Sequence, residues 1–394
     1  MPLVLALLSV PTMASSMPTT MPFPLPTTMT TCLWRFELPD IAEVDFAPTD
    51  GIAPVDRAEI MKRVLSVYIG HKRDQLLEAE IDRLIESCEM SKAIGPEHSS
   101  RVGRLAEGRI LAVMGKPGAG KTRALERVFR KREEFWGSSH GQENSHLISV
   151  KAPSPCTLRQ LGNTLLQALG YDVQRELREN VVWDMVRHRL QVRGVRYVHI
   201  DEIQHAVEKA NRNELQKVRD TLKALLQQPE WPVWLILSGK PSFASFIEDD
   251  TQLKRRSRFV SFGDLSLADD AKLIRNTLSW IVEKRAELEL ATASLGEPFF
   301  ARLVHAAEGQ FGILVEFVQD AIHEALIERC ATVKLEHFAK VYEARSGCSR
   351  DRNVFTADQW HLIDVSMALQ DNQVDDHQVE DIQSEKKVRD KKNK

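Results

Sequence analysis

The stretch ILAVMGKPGAGKTRALERVF, residues 110–129, joins a short apolar run to a glycine-rich turn and then to a helical pattern. Within it, Gly115, Lys116, Pro117, Gly118, Ala119, Gly120, Lys121 and Thr122 fit G-x-x-x-x-G-K-[ST], the phosphate-loop pattern. Glycines at 115, 118 and 120 let the backbone turn tightly and aim its N–H groups at phosphate oxygens. A helix starting near Lys121 adds the positive end of its dipole. Lys121 is placed to meet the β- and γ-phosphates, and the Thr122 hydroxyl is a ligand for Mg²⁺. The loop predicts a nucleotide site without saying whether the nucleotide is fuel, substrate or switch.

Working outward, five apolar runs lie between residues 108 and 267: 110–114, 147–150, 195–200, 233–237 and 258–262. Helical patterns at 121–134, 157–170, 179–193 and 211–228 separate them. This alternation predicts an α/β fold: a five-stranded parallel sheet with helices on both faces, its ligand at the carboxyl ends of the strands. Before it, residues 40–107 read as a helical N-terminal region, with Ile60, Val64, Val67 and Tyr68 on one face, then Leu76, Leu77, Ile81, Leu84 and Ile85. After the core at 108–265, residues 266–345 read as an all-helical lid, and 346–394 as a largely disordered tail with a basic end.

The 394-residue chain is 43% apolar and 28% charged, as in a folded globular protein. Its net charge of −3 gives no global footprint for nucleic acid, so such a contact must use a local patch. The five scattered cysteines form no C-x-x-C pair and predict neither a metal site nor a disulfide framework. Residues 1–39 form a low-complexity leader rich in Pro, Thr and Met, whose apolar segment lacks the basic start of a signal peptide. With no stretch of transmembrane length, the reading is a cytoplasmic protein with no membrane partner.

A second motif, VRYVHIDEIQHA at 195–206, ends a buried strand in Asp201-Glu202. Facing a nucleotide, Asp201 would hold Mg²⁺ mostly through water, and Glu202 would orient and deprotonate the attacking water. A capping acidic pair is the plainer alternative. No N-K-x-D follows, which argues against a GTPase. The next strand ends in a polar residue, Ser238, suited to sensing the γ-phosphate. Arg255, Arg256 and Arg258 then precede or open the last strand. They are too far along the fold to serve their own loop and suit a finger reaching into a neighbouring subunit, or else a solvated helix end. Arg258 leads by its S-R-F setting, with Arg256 next and Arg255 third.

The order of these motifs resembles the AAA+ ATPases of the initiator type, and more narrowly the TniB family of transposition proteins, which is akin to TnsC and phage Mu B protein. The matching pieces include MKRVLSVYIGHKR, GKPGAGKT, ISVKAPSPCTLRQLGNTLLQALGYD, YVHIDEIQHA, LILSGKPSF, RRSRFVSF and EGQFGILVEFVQDAI, and span roughly residues 45–345. The resemblance implies an AAA+ P-loop core that binds and hydrolyses ATP with Mg²⁺. It also implies a homo-oligomer, a ring or filament, that assembles on double-stranded DNA and selects targets for a cognate DDE transposase. Lys151 and Arg159 are the candidate DNA contacts, and Arg187, Arg189, Arg193 and Arg196 a second candidate cluster. One departure stands out: the lid stretch Gly309-Gln310-Phe311-Gly312-Ile313 lacks the arginine many such lids carry, which suits a slow switch. The rival reading is an ATP-dependent scaffold or signalling switch, secretion- or defence-associated, with no nucleic-acid role.

Overall fold

A computed structural model describes residues 57–94, 106–136 and 145–365. The leader at 1–39 and the end of the tail from 366 lie outside the described residues. Two helices, α1 (Arg57–Leu65) and α2 (Lys72–Ile94), precede the first strand. The core then runs β1 (Ile110–Gly115), α3 (Lys121–Lys131), α4 (Glu133–Trp136), β2 (Leu147–Lys151), α5 (Leu158–Ala168), α6 (Glu179–Val192) and β3 (Tyr197–Asp201). It continues through α7 (Arg212–Leu226), β4 (Trp234–Gly239), α8 (Phe243–Glu248), α9 (Thr251–Lys254) and β5 (Ser257–Phe262).

The five strands form one sheet in the order β2-β3-β4-β1-β5, every pair parallel. A strand buried on both faces needs apolar side chains throughout, and β4 is buried along its whole length. Side chains on one face, such as Leu111, Val113 and Ile236, pack with α2 and α3. Those on the other, such as Ala112, Val198 and Leu235, pack with α5, α6 and α7. Local chemistry sets the helix starts. Thr157 and Gln160 form a capping box that opens α5, and Asn211 and Glu214 do the same for α7.

A second core holds the lid: α10 (Leu267–Ser279), a π-helical turn (Trp280–Arg285), α11 (Thr292–Ala306), α12 (Phe311–Ile327) and α13 (Leu335–Ser346). A short parallel pair, Glu289–Leu290 with Thr332–Val333, ties it together. The N-terminal helical region divides its contacts: Ile60, Val64 and Val67 join the lid core, whereas Leu77, Ile81 and Leu84 join the sheet. Two expectations need correction. Leu76 is 48% exposed, because its neighbour Leu77 takes the inward position. The lid also extends beyond 345, since Val354 and Phe355 are buried among its aromatic rings and Asn353 donates to the Ala339 carbonyl at 2.7 Å.

Candidate nucleotide site

Parallel strands put every carboxyl end on one edge, and the register aligns Met114 with Gly239 and Lys151 with Asp201. The loop from Gly115 to Thr122 therefore meets the ends of β3 and β4. Gly118 and Gly120 both adopt positive φ, 73° and 89°, which only glycine takes without strain. Lys121 is buried, and its Nζ donates to the Gly115 carbonyl at 2.8 Å and the Lys116 carbonyl at 3.1 Å. Burial lowers its pKa, an effect that Glu202 and Asp201 partly offset. The exposed Lys116 pairs with Asp264 at 2.7 Å, and Asp264 also accepts from Gln310 of the lid at 2.8 Å.

Asp201 collects donors from several elements. The Thr122 hydroxyl donates to Oδ2 at 3.0 Å, the Ser238 hydroxyl to Oδ1 at 2.5 Å, and the Glu202 amide to Oδ1 at 3.0 Å. Glu202 stands at φ 54°, a left-handed conformation uncommon for a residue with a side chain. Such strain persists only where neighbours over-determine it, and the neighbour here is Gln204. Gln204 is fully buried; its amide donates to the Glu202 carboxylate, and its oxygen accepts from the Lys240 amide at 3.1 Å.

Two contributors come from outside the phosphate loop and the Asp-Glu strand. Arg73, on α2, is only 9% exposed and donates from Nη2 to the Ala119 carbonyl at 2.7 Å. Its guanidinium lies 4.6 Å from the Phe262 ring centre and 5.2 Å from that of Phe311, while its Nε and Nη1 have no hydrogen-bond partner. It thus brings a cation to the loop from the N-terminal side, where the lid offers none. Ile313, at the start of α12, presses on Gly118. A cavity of about 290 Å³ remains, lined by Arg73, Gly118, Lys121, Thr122, Glu202 and Phe311. A second, of about 550 Å³, shares Tyr68 and Ile69 with it and is walled by Thr277 and Trp280.

The arginines near β5 separate. Arg256 is buried, donating to Glu107 at 2.7 Å and to the Gln252 carbonyl at 2.9 Å, so it serves as a structural brace. Arg258 is held by Glu80 of α2, and that ion pair raises its pKa. Arg255 is exposed; its backbone N–H donates to the Thr251 carbonyl at 3.2 Å, and its side chain has no hydrogen-bond or ion-pair partner among the described residues. All three lie at the opposite edge of the sheet from the loop, since Arg258 is paired with Leu111 near the start of β1.

Of the DNA candidates, Lys151 is exposed at the end of β2, and Arg159 is half-exposed on α5 and pairs with Glu176. The second cluster does not form one basic face: Arg196 lies 3.4 Å over the Trp231 ring, Arg187 pairs with Asp184, and Arg189 stacks on Tyr171. Glu328, Cys330 and His337 also converge in the lid. There His337 Nδ1 accepts from the Lys334 amide at 3.0 Å, so its proton stays on Nε2, facing Glu328, and no lone pair is left for a metal.

A family model described as an AAA domain matches residues 104–247. No curated protein sequence matches the chain. Among solved structures, the chain is similar to the ORC1 protein of Aeropyrum pernix in complex with DNA, with 21% identity, a TM-score of 0.48, and coverage of 74% of this chain and 70% of that one. It is similar to Cdc6p of Pyrobaculum aerophilum, with 11% identity, a TM-score of 0.48 and coverage of 74% and 72%. It is also similar to the Thermotoga maritima RuvB Holliday junction branch migration motor, at 11%, 0.36, 66% and 69%. With the parallel sheet, its phosphate loop and the AAA match, the chain has the AAA+ P-loop ATPase fold. No helix among the described residues is long and apolar enough to cross a membrane.

Proposed function

We propose that the chain binds and hydrolyses ATP and acts as a TniB-like switch that assembles on double-stranded DNA and recruits a DDE transposase. The observation that supports hydrolysis is the convergence on Asp201 of Thr122 at 3.0 Å and Ser238 at 2.5 Å, beside Lys121 and Glu202. In this reading the loop from Gly115 to Thr122 cradles the phosphates. Lys121 exchanges its two carbonyl partners for β- and γ-phosphate oxygens, a stronger charge-assisted pairing. Thr122 and Asp201 offer only hard oxygen donors, which fit Mg²⁺ rather than a soft metal. That ion, when bound, neutralises phosphate charge. Glu202 acts as general base on water, aimed by Gln204, and Ser238 faces the γ-phosphate side of the acidic pair.

Hydrolysis in this reading is completed between subunits. Arg256 is committed to Glu107 and Arg258 to Glu80, which leaves Arg255 as the favoured finger. Arg73 supplies charge within the subunit in place of the absent lid arginine. Support for transposition comes from the motif resemblance over roughly residues 45–345, and Lys151 and Arg159 are the proposed DNA contacts. The deciding experiment measures phosphate release from ATP by the purified full chain, with and without linear double-stranded DNA. Release stimulated by DNA, with ATP-dependent assembly on it, is expected. Turnover indifferent to DNA would turn the reading to the scaffold or signalling switch, and no release at all would overturn the ATPase reading.

A further inference from the structure

A hydrogen-bonded chain crosses the sheet from its edge to the acidic pair. His199, on β3 and almost wholly buried, lies between Ser149 on β2 and Ser238 on β4. Its Nδ1 is 2.7 Å from the Ser149 hydroxyl, and its Nε2 is 2.8 Å from the Ser238 hydroxyl. The direction of the chain is fixed at its far end. A carboxylate only accepts, so Ser238 commits its proton to Asp201 and its oxygen must accept from Nε2–H. Nδ1 then carries no proton and accepts from Ser149. The Phe129 ring makes a T-shaped contact with the imidazole, 5.2 Å between centres. Every polar atom in the chain is thereby satisfied with one arrangement of protons.

We infer that His199 is a positioning residue for hydrolysis: its Nε2–H holds the Ser238 hydroxyl on Asp201, so that the end of β4 and the acidic pair move as one unit. The inference rests on the ATPase reading above. Without the donor, Ser238 is free to rotate and Asp201 shares its oxygens among fewer fixed partners. The imidazole is buried between its two serine partners, so the hydrogen-bonded chain is shielded from solvent along its middle. Ser149, exposed on the edge strand, completes the chain from a position remote from the phosphate loop.

The test compares His199→Leu, His199→Gln and Ser149→Ala, reading kcat for ATP separately from the Kd of a fluorescent ATP analogue. Losing one such hydrogen bond should lower kcat roughly five- to tenfold in the leucine variant, with Kd unchanged. The glutamine variant, which keeps an N–H toward Ser238, should return to within about twofold of wild type. Ser149→Ala should lower kcat about two- to threefold, again at constant Kd. A leucine variant with wild-type turnover, or one no worse than the glutamine variant, overturns the inference. If the leucine variant does not fold, Ser149→Ala decides: reduced kcat at constant Kd supports the relay, and unchanged kcat overturns it. Failure of the wild type to hydrolyse ATP at all would instead sink the underlying ATPase reading and this inference with it.

Discussion

Ile313 fills the space that a Cβ on Gly118 would occupy, so the lid helix and the phosphate loop are fitted to each other at one glycine. The same contact repeats in reverse, since a side chain at Gly312 would run into the Gly118 carbonyl. Gly118→Ala should therefore push the lid off the loop as well as strain a backbone at φ 73°. Nucleotide affinity is expected to fall at least tenfold, and the double variant Gly118→Ala/Ile313→Ala should recover part of it. Titration with a fluorescent nucleotide checks both; a double variant no better than the single would place the whole effect in backbone strain.

Lys121→Ala should abolish ATP binding, because it removes the charge proposed to meet the β- and γ-phosphates. Glu202→Gln should leave binding intact and accumulate an ATP-bound assembly, because only the base is lost. Gln204→Ala should resemble it in rate while also destabilising the fold by about 1 kcal/mol, since the half-buried Lys240 amide loses its acceptor. Wild-type turnover in Glu202→Gln would remove Glu202 from the base role.

Acid sensitivity follows from His199. Its folded pKa is lowered by burial, below the unfolded value near 6.5. The unfolded chain therefore binds the extra proton first. Stability is fully present above about pH 6.5 and is lost as pH falls toward the folded value, at up to roughly 1.4 kcal/mol per pH unit. His71, also lowered by burial, acts in the same direction. The net shift at Glu80, whose burial is outweighed by Arg258 and Arg83, matters only at more acidic pH. Thermal melts at pH 7.5, 6.0 and 5.0 should show His199→Gln losing less stability than wild type across that window; parallel losses would contradict the assignment.

The contrast between these residues explains what the sequence made legible. Strands buried on both faces demand continuous apolar runs, so β1 to β5 could be read to within a residue or two, and the loop announced itself by its glycines. Arg73 could not be read, because nothing local says that a cation 46 positions before Ala119 folds onto its carbonyl. Arg256 and Arg258 looked alike in the sequence and were separated only by long-range carboxylates, Glu107 and Glu80. Gln204 and His199 carry no local signal, because the groups they bond lie on or just beyond other strands. Val354 and Phe355 read as tail in the sequence because their partners, the lid aromatics, come from separate helices.

Arg73 is also open to test. Its charge is desolvated, which lowers its pKa, and two of its nitrogens lack partners. Arg73→Lys keeps the charge but loses the planar stacking between Phe262 and Phe311, and Arg73→Ala loses both. If the guanidinium serves the nucleotide, alanine should weaken ATP binding more than ADP binding, and lysine should restore part of the difference. Equal losses for both nucleotides would reduce Arg73 to a structural tie between α2 and the loop.

Arg255 carries the remaining prediction, because it alone of its cluster is exposed and unpaired among the described residues. A finger acts on the neighbour's nucleotide, so Arg255→Ala should spare nucleotide affinity in the monomer. Hydrolysis in the assembly should drop by about a thousandfold or more, the usual worth of such an arginine. Arg258→Ala, by contrast, should mainly loosen α2 from β5 by leaving Glu80 paired with Arg83 alone, and should show in a melt before it shows in rate. Mixing Arg255→Ala with Lys121→Ala protein separates the two parts of the site. The first brings an intact phosphate loop and the second an intact finger, so mixed interfaces should regain activity that neither protein has alone. If the two co-assemble and no ratio restores hydrolysis, Arg255 is not the finger, and the same mixing passes to Arg258→Ala.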